Sequence, residues 1–382
     1  MPLAVVAREW ARIGCIGFGG PPAHIALLRQ LCVDRRRWLS DREFEDGIAA
    51  TNLLPGPAST QLAIYCAWRL RGRLGALVGG FCFIVPGLIV ILGLAALFFG
   101  SHPPLWVKGA AAGAGAAVPA VAVSAAIAVM PASWRRTGTA GDRRVRWVTY
   151  LVLGGAAAAT IGPWLVLVLA GCGIIEVAAN ARGQQDTVRI SGFVPGLIAP
   201  AVALGGLGAL VWVAFKVGAL SYGGGFVIIP LMQHDAVDSY HWMTGGQFLG
   251  AVALGQITPG PVVQTVAVVG YAAGGVGGSL LASLVAFAPS FAFVLIGGPR
   301  FERLRANTGV HHFLTGAGAA AIGAIAGSAI SLGLELQHLW QLGVLALAAA
   351  WLLGLRRGVV IALLLAGVLG VVAASIGAPI GT

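Results

Sequence analysis

The chain is 382 residues long, 58% hydrophobic and 10% charged. Its mean hydropathy of +0.89 excludes an ordinary soluble domain and points to a polytopic membrane protein. A net charge of +11 would suit a nucleic-acid binder, but the arginines lie in short loops between apolar segments, the pattern of cytoplasmic topology signals.

In chain order, the first apolar segment, residues 4–30, carries Arg8, Glu9 and Arg12 and is followed by no small-residue cleavage site. It is therefore expected to be retained rather than removed as a signal. Gly17-Phe-Gly-Gly-Pro-Pro22 interrupts it. Glycine supplies unusual backbone angles and proline favours a first helical turn, so a break and then a helix from near Pro22 are expected. Residues 28–42 hold Arg29, Arg35, Arg36, Arg37 and Arg42. Residues 43–68 are apolar, and Arg69, Arg71 and Arg73 follow them. A segment with cytoplasmic signals on both sides enters and leaves by one face. That makes it a re-entrant helical hairpin with Pro55-Gly56-Pro57 at its tip and a new helix from near Pro57. Ordinary helices follow, with residues 74–100 and 105–130 long enough to span hydrocarbon. Residues 1–180 thus form an N-terminal repeat and the polar residues 181–191 a linker. Residues 192–382 form a second repeat, with broken elements at 207–232 and 246–272 and a span at 310–334. Cys15, Cys32, Cys66, Cys82 and Cys172 show no C-x-x-C spacing and read as small buried residues. No phosphate-cradling G-x-x-x-x-G-K-[ST] occurs, so the chain has no ATPase motor of its own.

The two repeats align at an offset of 204. This pairs Gly14 with Gly218, Val33-Asp34 with Val237-Asp238, Trp38 with Trp242, Phe44 with Phe248, and Pro55-Gly56-Pro57 with Pro259-Gly260-Pro261, without a gap. Beyond the tips, Thr60-Gln61 meets Gln264-Thr265 at the same offset. Loop arginines have opposite bias in the two repeats. The 28–42, 69–73 and 135–146 loops are arginine-rich against uncharged partners, whereas Arg300, Arg303 and Arg305, and Arg356-Arg357, reverse the sign. By the positive-inside rule the repeats are upside down relative to one another. The expected fold is an all-α polytopic membrane protein. It is an inverted-topology tandem repeat whose broken or re-entrant helical hairpins meet near the bilayer midplane.

Broken helices place a substrate at the breaks. Each new helix start offers unpaired N–H groups and roughly half a positive charge, so four converging starts supply on the order of two, enough to balance a dianion. The candidate binding residues are Gly19, Gly20, Pro22, Ala23 and His24 at the first break. At the first tip they are Asn52, Pro55, Gly56, Pro57, Ala58, Ser59, Thr60 and Gln61. Ser221, Tyr222, Gly223, Gly224 and Gly225 form the third group. Gln256, Pro259, Gly260, Pro261, Gln264 and Thr265 form the fourth. Amides and hydroxyls coordinate oxygens without burying an unpaired charge. Arg12 and Lys216, at aligned positions, either add attraction or snorkel to the interface. His24, whose counterpart is Ile228, either donates to an anion and carries a proton, or is structural. Glu176 and His311-His312 have no nameable partners and read as structural. No metal-ligand, cofactor or catalytic set stands out.

Three motifs, Gly17-Phe-Gly-Gly-Pro-Pro-Ala-His24, Arg36-Arg-Trp-Leu39 and Leu54-Pro-Gly-Pro-Ala-Ser-Thr-Gln61, resemble the first-half signature of the chromate ion transporter family. Tyr222-Gly-Gly-Gly225 and Pro259-Gly-Pro261 resemble its second-half signature. The chain is similar to a long member with both halves fused. It departs at Gly17, where the family usually has a hydroxyl residue. The resemblance implies chromate export across the bacterial cytoplasmic (inner) membrane, with sulfate or protons as candidate coupled species and no nucleic-acid partner. It leaves open whether the chain acts as a monomer or homodimer in the lipid bilayer. A sulfate or molybdate carrier is the nearest rival, because those dianions share the tetrahedral shape. An intramembrane enzyme using Ser59 as nucleophile and His24 as base is a more distant one, lacking a third orienting residue.

Overall fold

A computed structural model describes residues 1–138, 141–160, 164–181, 206–221, 226–297 and 307–380. Every regular element among these is helical. Four helices are long and apolar enough to cross a membrane: Ala58–Phe98, Leu105–Arg135, Val262–Gly297 and Thr308–Leu334. Their outer faces carry bare apolar side chains such as Leu74, Phe81, Ile89 and Leu284. Such faces suit hydrocarbon rather than water. The protein is a multi-pass, all-α membrane protein.

The first region opens with α1 (Leu3–Ile16). After the glycine break comes α2 (Pro21–Arg29), which runs into a π-helical turn, Gln30–Arg35. α3 (Asp41–Thr51) starts on Ser40, whose hydroxyl accepts from Glu43 N–H while the Glu43 carboxylate accepts from Ser40 N–H, a reciprocal cap. The chain turns over at Pro55-Gly56-Pro57 and returns as α4 (Ala58–Phe98). Glu43 near the start of α3 pairs with Arg69 on the returning arm, so the base of the hairpin is closed by an ion pair. α4 then bends at Arg71 and Gly72, where Gly72 takes φ +59°, a left-handed angle that glycine accepts without strain. α5 (Leu105–Arg135), α6 (Gly141–Thr160) and α7 (Leu165–Ala181) follow.

The second region repeats these devices. It consists of α8 (Leu207–Leu220), α9 (Ile228–Gln233) with a π-turn at His234–Ser239, α10 (Gly245–Ile257), a 3-10 turn at Val262–Gln264, and α11 (Thr265–Gly297). α12 (Thr308–Leu334), α13 (Leu339–Ala349) and α14 (Val359–Ser375) complete it. Thr244 and Gln247 rebuild the Ser40–Glu43 cap. Arg37 at φ 51° and His241 at φ 50° make the same non-glycine left-handed turn. In each, the next tryptophan N–H reaches back to the π-turn, Trp38 to Cys32 O at 2.7 Å and Trp242 to Ala236 O at 2.8 Å.

Beyond the tips the offset falls to 203. The bend at Arg71-Gly72 recurs at Gly274-Gly275, and the in-helix Pro86 recurs as Pro289. One residue is missing after the second Pro-Gly-Pro. The structure therefore pairs Gln61 with Gln264 and corrects the swapped Thr60-Gln61/Gln264-Thr265 pairing of the ungapped alignment.

The two regions interlock. α5 packs on α13 and α14, while its counterpart α12 packs on α6 and α7; α4 and α11 cross between them. Small residues allow the closest crossings. A Cβ on Gly14 would lie 2.5 Å from Phe83 O, and one on the matching Gly218 would lie 2.0 Å from Ala286 O. The expected linker, residues 181–191, lies outside the described residues apart from Ala181. So do Tyr222–Gly225 and Arg300, Arg303 and Arg305.

Candidate functional site

A cavity of about 580 Å³ lies where the breaks meet. From the first break, Gly19, Gly20 and Pro22 line it; from the first tip, Asn52, Gly56 and Ala58; from the second tip, Gln256 and Val262. Hydroxyls from Thr51, Ser124 and Ser133 add to the polar wall, and among the described lining residues Arg136 alone is charged.

α2 and α4 both start at this cavity, as expected. Gly20 precedes α2 at φ +72°, and Pro57 precedes α4. The first turn of α4 leaves the N–H groups of Ala58, Ser59 and Thr60 without helical acceptors, since the first intrahelical bond is Gln61 N–H to Pro57 O, 3.0 Å. α2 is a poorer donor, because Pro21 and Pro22 carry no N–H. In the second region α9 runs on into the π-turn at His234–Ser239, and the 3-10 turn at Val262–Gln264 runs straight into α11. Val227 and Val262 line the cavity, so helices of the second region also begin beside it.

Behind the wall lies a layer of buried polar groups. His24 is fully buried; its Nε2 donates to Gly17 O at 2.9 Å, since a carbonyl only accepts, and Nδ1 then accepts from Ser59 Oγ at 3.2 Å. A Cβ on Gly17 would sit 2.7 Å from the His24 ring, so the packing here leaves no space for a hydroxyl side chain at position 17. Gly17 O also accepts from Gly260 N–H at 2.9 Å, which ties the first break to the second tip. Gln61 Nε2 donates to Pro55 O at 2.7 Å, and Gln264 Nε2 to Ile84 O at 2.6 Å. Their amide oxygens, with Thr60 Oγ1, Ser221 Oγ and Gln256 Nε2, are buried without a partner among the described residues. Each such atom costs about 1–3 kcal/mol unless something else satisfies it.

The site residues thus fall into two groups. Gly19, Gly20, Pro22, Asn52, Gly56, Ala58 and Gln256 face the cavity; His24, Ser59, Thr60, Gln61, Ser221, Gly260, Gln264 and Thr265 stand behind it. Ala23, Pro55, Pro57, Pro259 and Pro261 shape the turns without lining the cavity. Neither expected electrostatic residue reaches it. Lys216 Nζ is paired with Asp235 at 2.6 Å, which absorbs its charge, and Arg12 is exposed. Glu176 has partners that the sequence did not reveal: Arg146 at 2.8 Å, Tyr150 at 3.1 Å and Asn180 at 2.9 Å.

Sequence reasoning missed Gly87. A Cβ there would lie 2.2 Å from Pro259 O and 2.5 Å from Gln264 Oε1, so the second tip rests on this bare backbone. It also missed Arg136, which a loop-charge argument assigns to topology alone.

The chromate transporter family profile matches residues 4–177 and 208–371, nearly the whole chain in two parts. The chain belongs to the chromate transporter family. It is 29% identical to a probable chromate transport protein of Synechococcus elongatus, over 97% of this chain and 95% of the relative. It is 30% identical to the chromate transport protein of Cupriavidus metallidurans, over 86% of this chain and 82% of that one. A third relative, the chromate transport protein of Pseudomonas aeruginosa, is 31% identical over 85% and 79%. No solved structure matches the transporter at a significant level. The unmatched stretch between the two regions, 178–207, contains residues 181–191.

Proposed function

We propose that this transporter exports chromate across the bacterial inner membrane, holding the dianion in the cavity between the two Pro-Gly-Pro tips. The observation that carries this reading is the charge of the cavity wall. It has Arg136 and no carboxylate among the described lining residues, helix starts from both regions, and in Gln256 Nε2 a buried donor with no acceptor among the described residues. Such a wall attracts an anion and repels no oxygen. Its neutral donors avoid the cost of an unpaired charge at membrane depth.

The driving force needs no motor. A membrane potential is worth about 2.3 kcal/mol per charge per 100 mV, so a dianion leaving a negative interior gains about 4.6. Sulfate and protons are the candidate coupled species. The paired devices at offsets 204 and 203 support inverted repeats, residues 1–180 and 192–382, within one chain that completes its own cavity as a monomer.

The Ser59/His24 enzyme reading gains a hydrogen bond and loses on access. Both residues are buried behind the cavity, and neither lines it. We infer that the pair braces the first break and performs no catalysis.

Everted vesicles test the proposal directly. Labelled chromate should accumulate in them, excess sulfate should compete, and a protonophore should report coupling; vesicles that do not accumulate label would refute export. The inverted arrangement has its own test. Single cysteines replacing Arg36 and Ser239 should react from opposite faces, and labelling from one face would overturn it.

A further inference from the structure

A second cavity of about 430 Å³ adjoins the first, and Asn52 and Arg136 line both. We propose that it is an anion-capture vestibule, a second binding site for tetrahedral oxyanions. It would load the transport cavity from the arginine-rich end of the molecule. The identity of the anion rests on the transport reading above; the site itself rests on its own chemistry.

Four elements from the first region and one from the second build the wall. Arg136 and Thr137 follow the end of α5, Arg143 lies in the first turn of α6, and His311, His312 and Thr315 face them from α12. Asn52 and Leu53 of the first tip close the inner end. Sequence reasoning assigned Arg136 and Arg143 to topology and the histidines to structure. Packing brings all four to one hollow. Trp147 Nε1 donates to Ser133 Oγ at 3.0 Å, which holds α6 against α5 and so fixes Arg143 relative to Arg136.

One carboxylate, Glu176, also borders the hollow, and its charge is already spent. Arg146 holds it with two bonds, Nε to Oε2 at 2.8 Å and Nη2 to Oε1 at 3.1 Å, while Tyr150 and Asn180 donate to the same two oxygens. The guanidinium cancels the charge and the donors occupy the lone pairs. Arg143, in the first turn of α6, then sets the sign of the field in the hollow. At roughly 30 Å³ per water, the volume admits an anion with part of its hydration shell, so capture does not demand dehydration.

A contrasting hollow of about 230 Å³ is lined by Phe98, Phe99, Lys108 and Gln247, and Lys108 alone is charged among its described lining residues. It touches neither Asn52 nor Arg136. A carrier that loads a scarce anion from one side and releases it on the other benefits from this asymmetry. A cation-lined funnel raises local anion concentration about tenfold or more and weakens as salt rises.

The test combines transport with binding. In everted vesicles at low salt, Arg143→Gln, at a residue that lines the vestibule and not the transport cavity, should raise KM for chromate severalfold, with Vmax changed by less than about twofold. High salt should bring wild type toward the variant. Thr315→Glu, which adds a carboxylate to the same wall, should act in the same direction and carries the test if Arg143→Gln does not fold. Arg73→Gln removes an arginine that lines neither cavity and should leave KM unchanged. Equilibrium dialysis of labelled chromate against purified protein separates the two sites. Gly56→Asp should abolish the transport-cavity site and keep salt-sensitive binding, which Arg143→Gln then removes. Unchanged KM in both vestibule variants would overturn the proposal, as would an equal KM rise in Arg73→Gln or the absence of residual binding in Gly56→Asp. Wild-type vesicles that move no chromate, with salt-sensitive binding intact, would sink the transport reading and leave the vestibule standing.

Discussion

The first Pro-Gly-Pro tip turns its glycine to the cavity, whereas the second packs its glycine on the opposite region and reaches the cavity only through the flanking Gln256 and Val262. Their backbones are nearly the same, with Gly56 at φ +115° and Gly260 at φ +96°. Gly56 and its neighbours Asn52 and Ala58 line the cavity. Gly260 instead gives its N–H to Gly17 O, Gln264 reaches across to Ile84 O, and Pro259 O rests on Gly87. Each tip glutamine has its amide nitrogen tied to a carbonyl, but Gln61 holds its own tip and Gln264 holds the other half. One motif therefore does two jobs. Its backbone is a local property; whether it forms a cradle or a seal is decided by what packs on it.

The largest effect should come from disturbing the seal. Gly87→Ala places a methyl against Pro259 O and Gln264 Oε1, and overpacking of this kind costs about 1–3 kcal/mol. We expect chromate flux to be nearly abolished and the melting temperature to fall. Gly93→Ala, where a Cβ meets nothing within 4 Å, should be neutral. Equal flux in the two variants would break the distinction between seal and cradle.

Next in size is Gln256→Ala. Removing the unpartnered donor should weaken chromate binding by about 1–3 kcal/mol without lowering the melting temperature, which calorimetry and a thermal melt together would check. The tip glutamines should behave oppositely. Gln264→Ala strips a bond between regions and Gln61→Ala one within a turn, so both should lower stability by about 1–3 kcal/mol, Gln264→Ala more. A larger loss of stability in Gln61→Ala would invert the comparison.

Much of this was legible beforehand. Proline and glycine mark helix starts through their own backbone geometry, so Gly20-Pro21 and Pro57-Ala58 begin helices within a residue of expectation. The Glu43–Arg69 pair agrees with a hairpin inferred from arginines on both flanks. What stayed hidden depends on contacts distant in sequence. Nothing in a glycine-rich helix singles out Gly87 until Pro259 lies on it. Gln61 and Gln264 align once the bends at Gly72 and Gly275 reveal the missing residue. Lys216 looked like a substrate charge until Asp235 claimed it.

The smallest effect should come from Ser59→Ala. It removes one neutral hydrogen bond to His24, worth about 0.5–1.5 kcal/mol, and flux should persist near the wild-type level. Near-complete loss of flux with the fold intact would restore an active role for the pair.

The central claim is that the anion sits against the first tip, and calorimetry of chromate binding to purified Gly56→Asp tests it most directly. The substitution puts a carboxylate where the dianion should rest, with repulsion strengthened by the low dielectric. At high salt, where the vestibule contributes little, wild type should show a chromate heat that Gly56→Asp lacks. A folded Gly56→Asp protein with wild-type affinity at high salt would place the anion elsewhere and contradict the account.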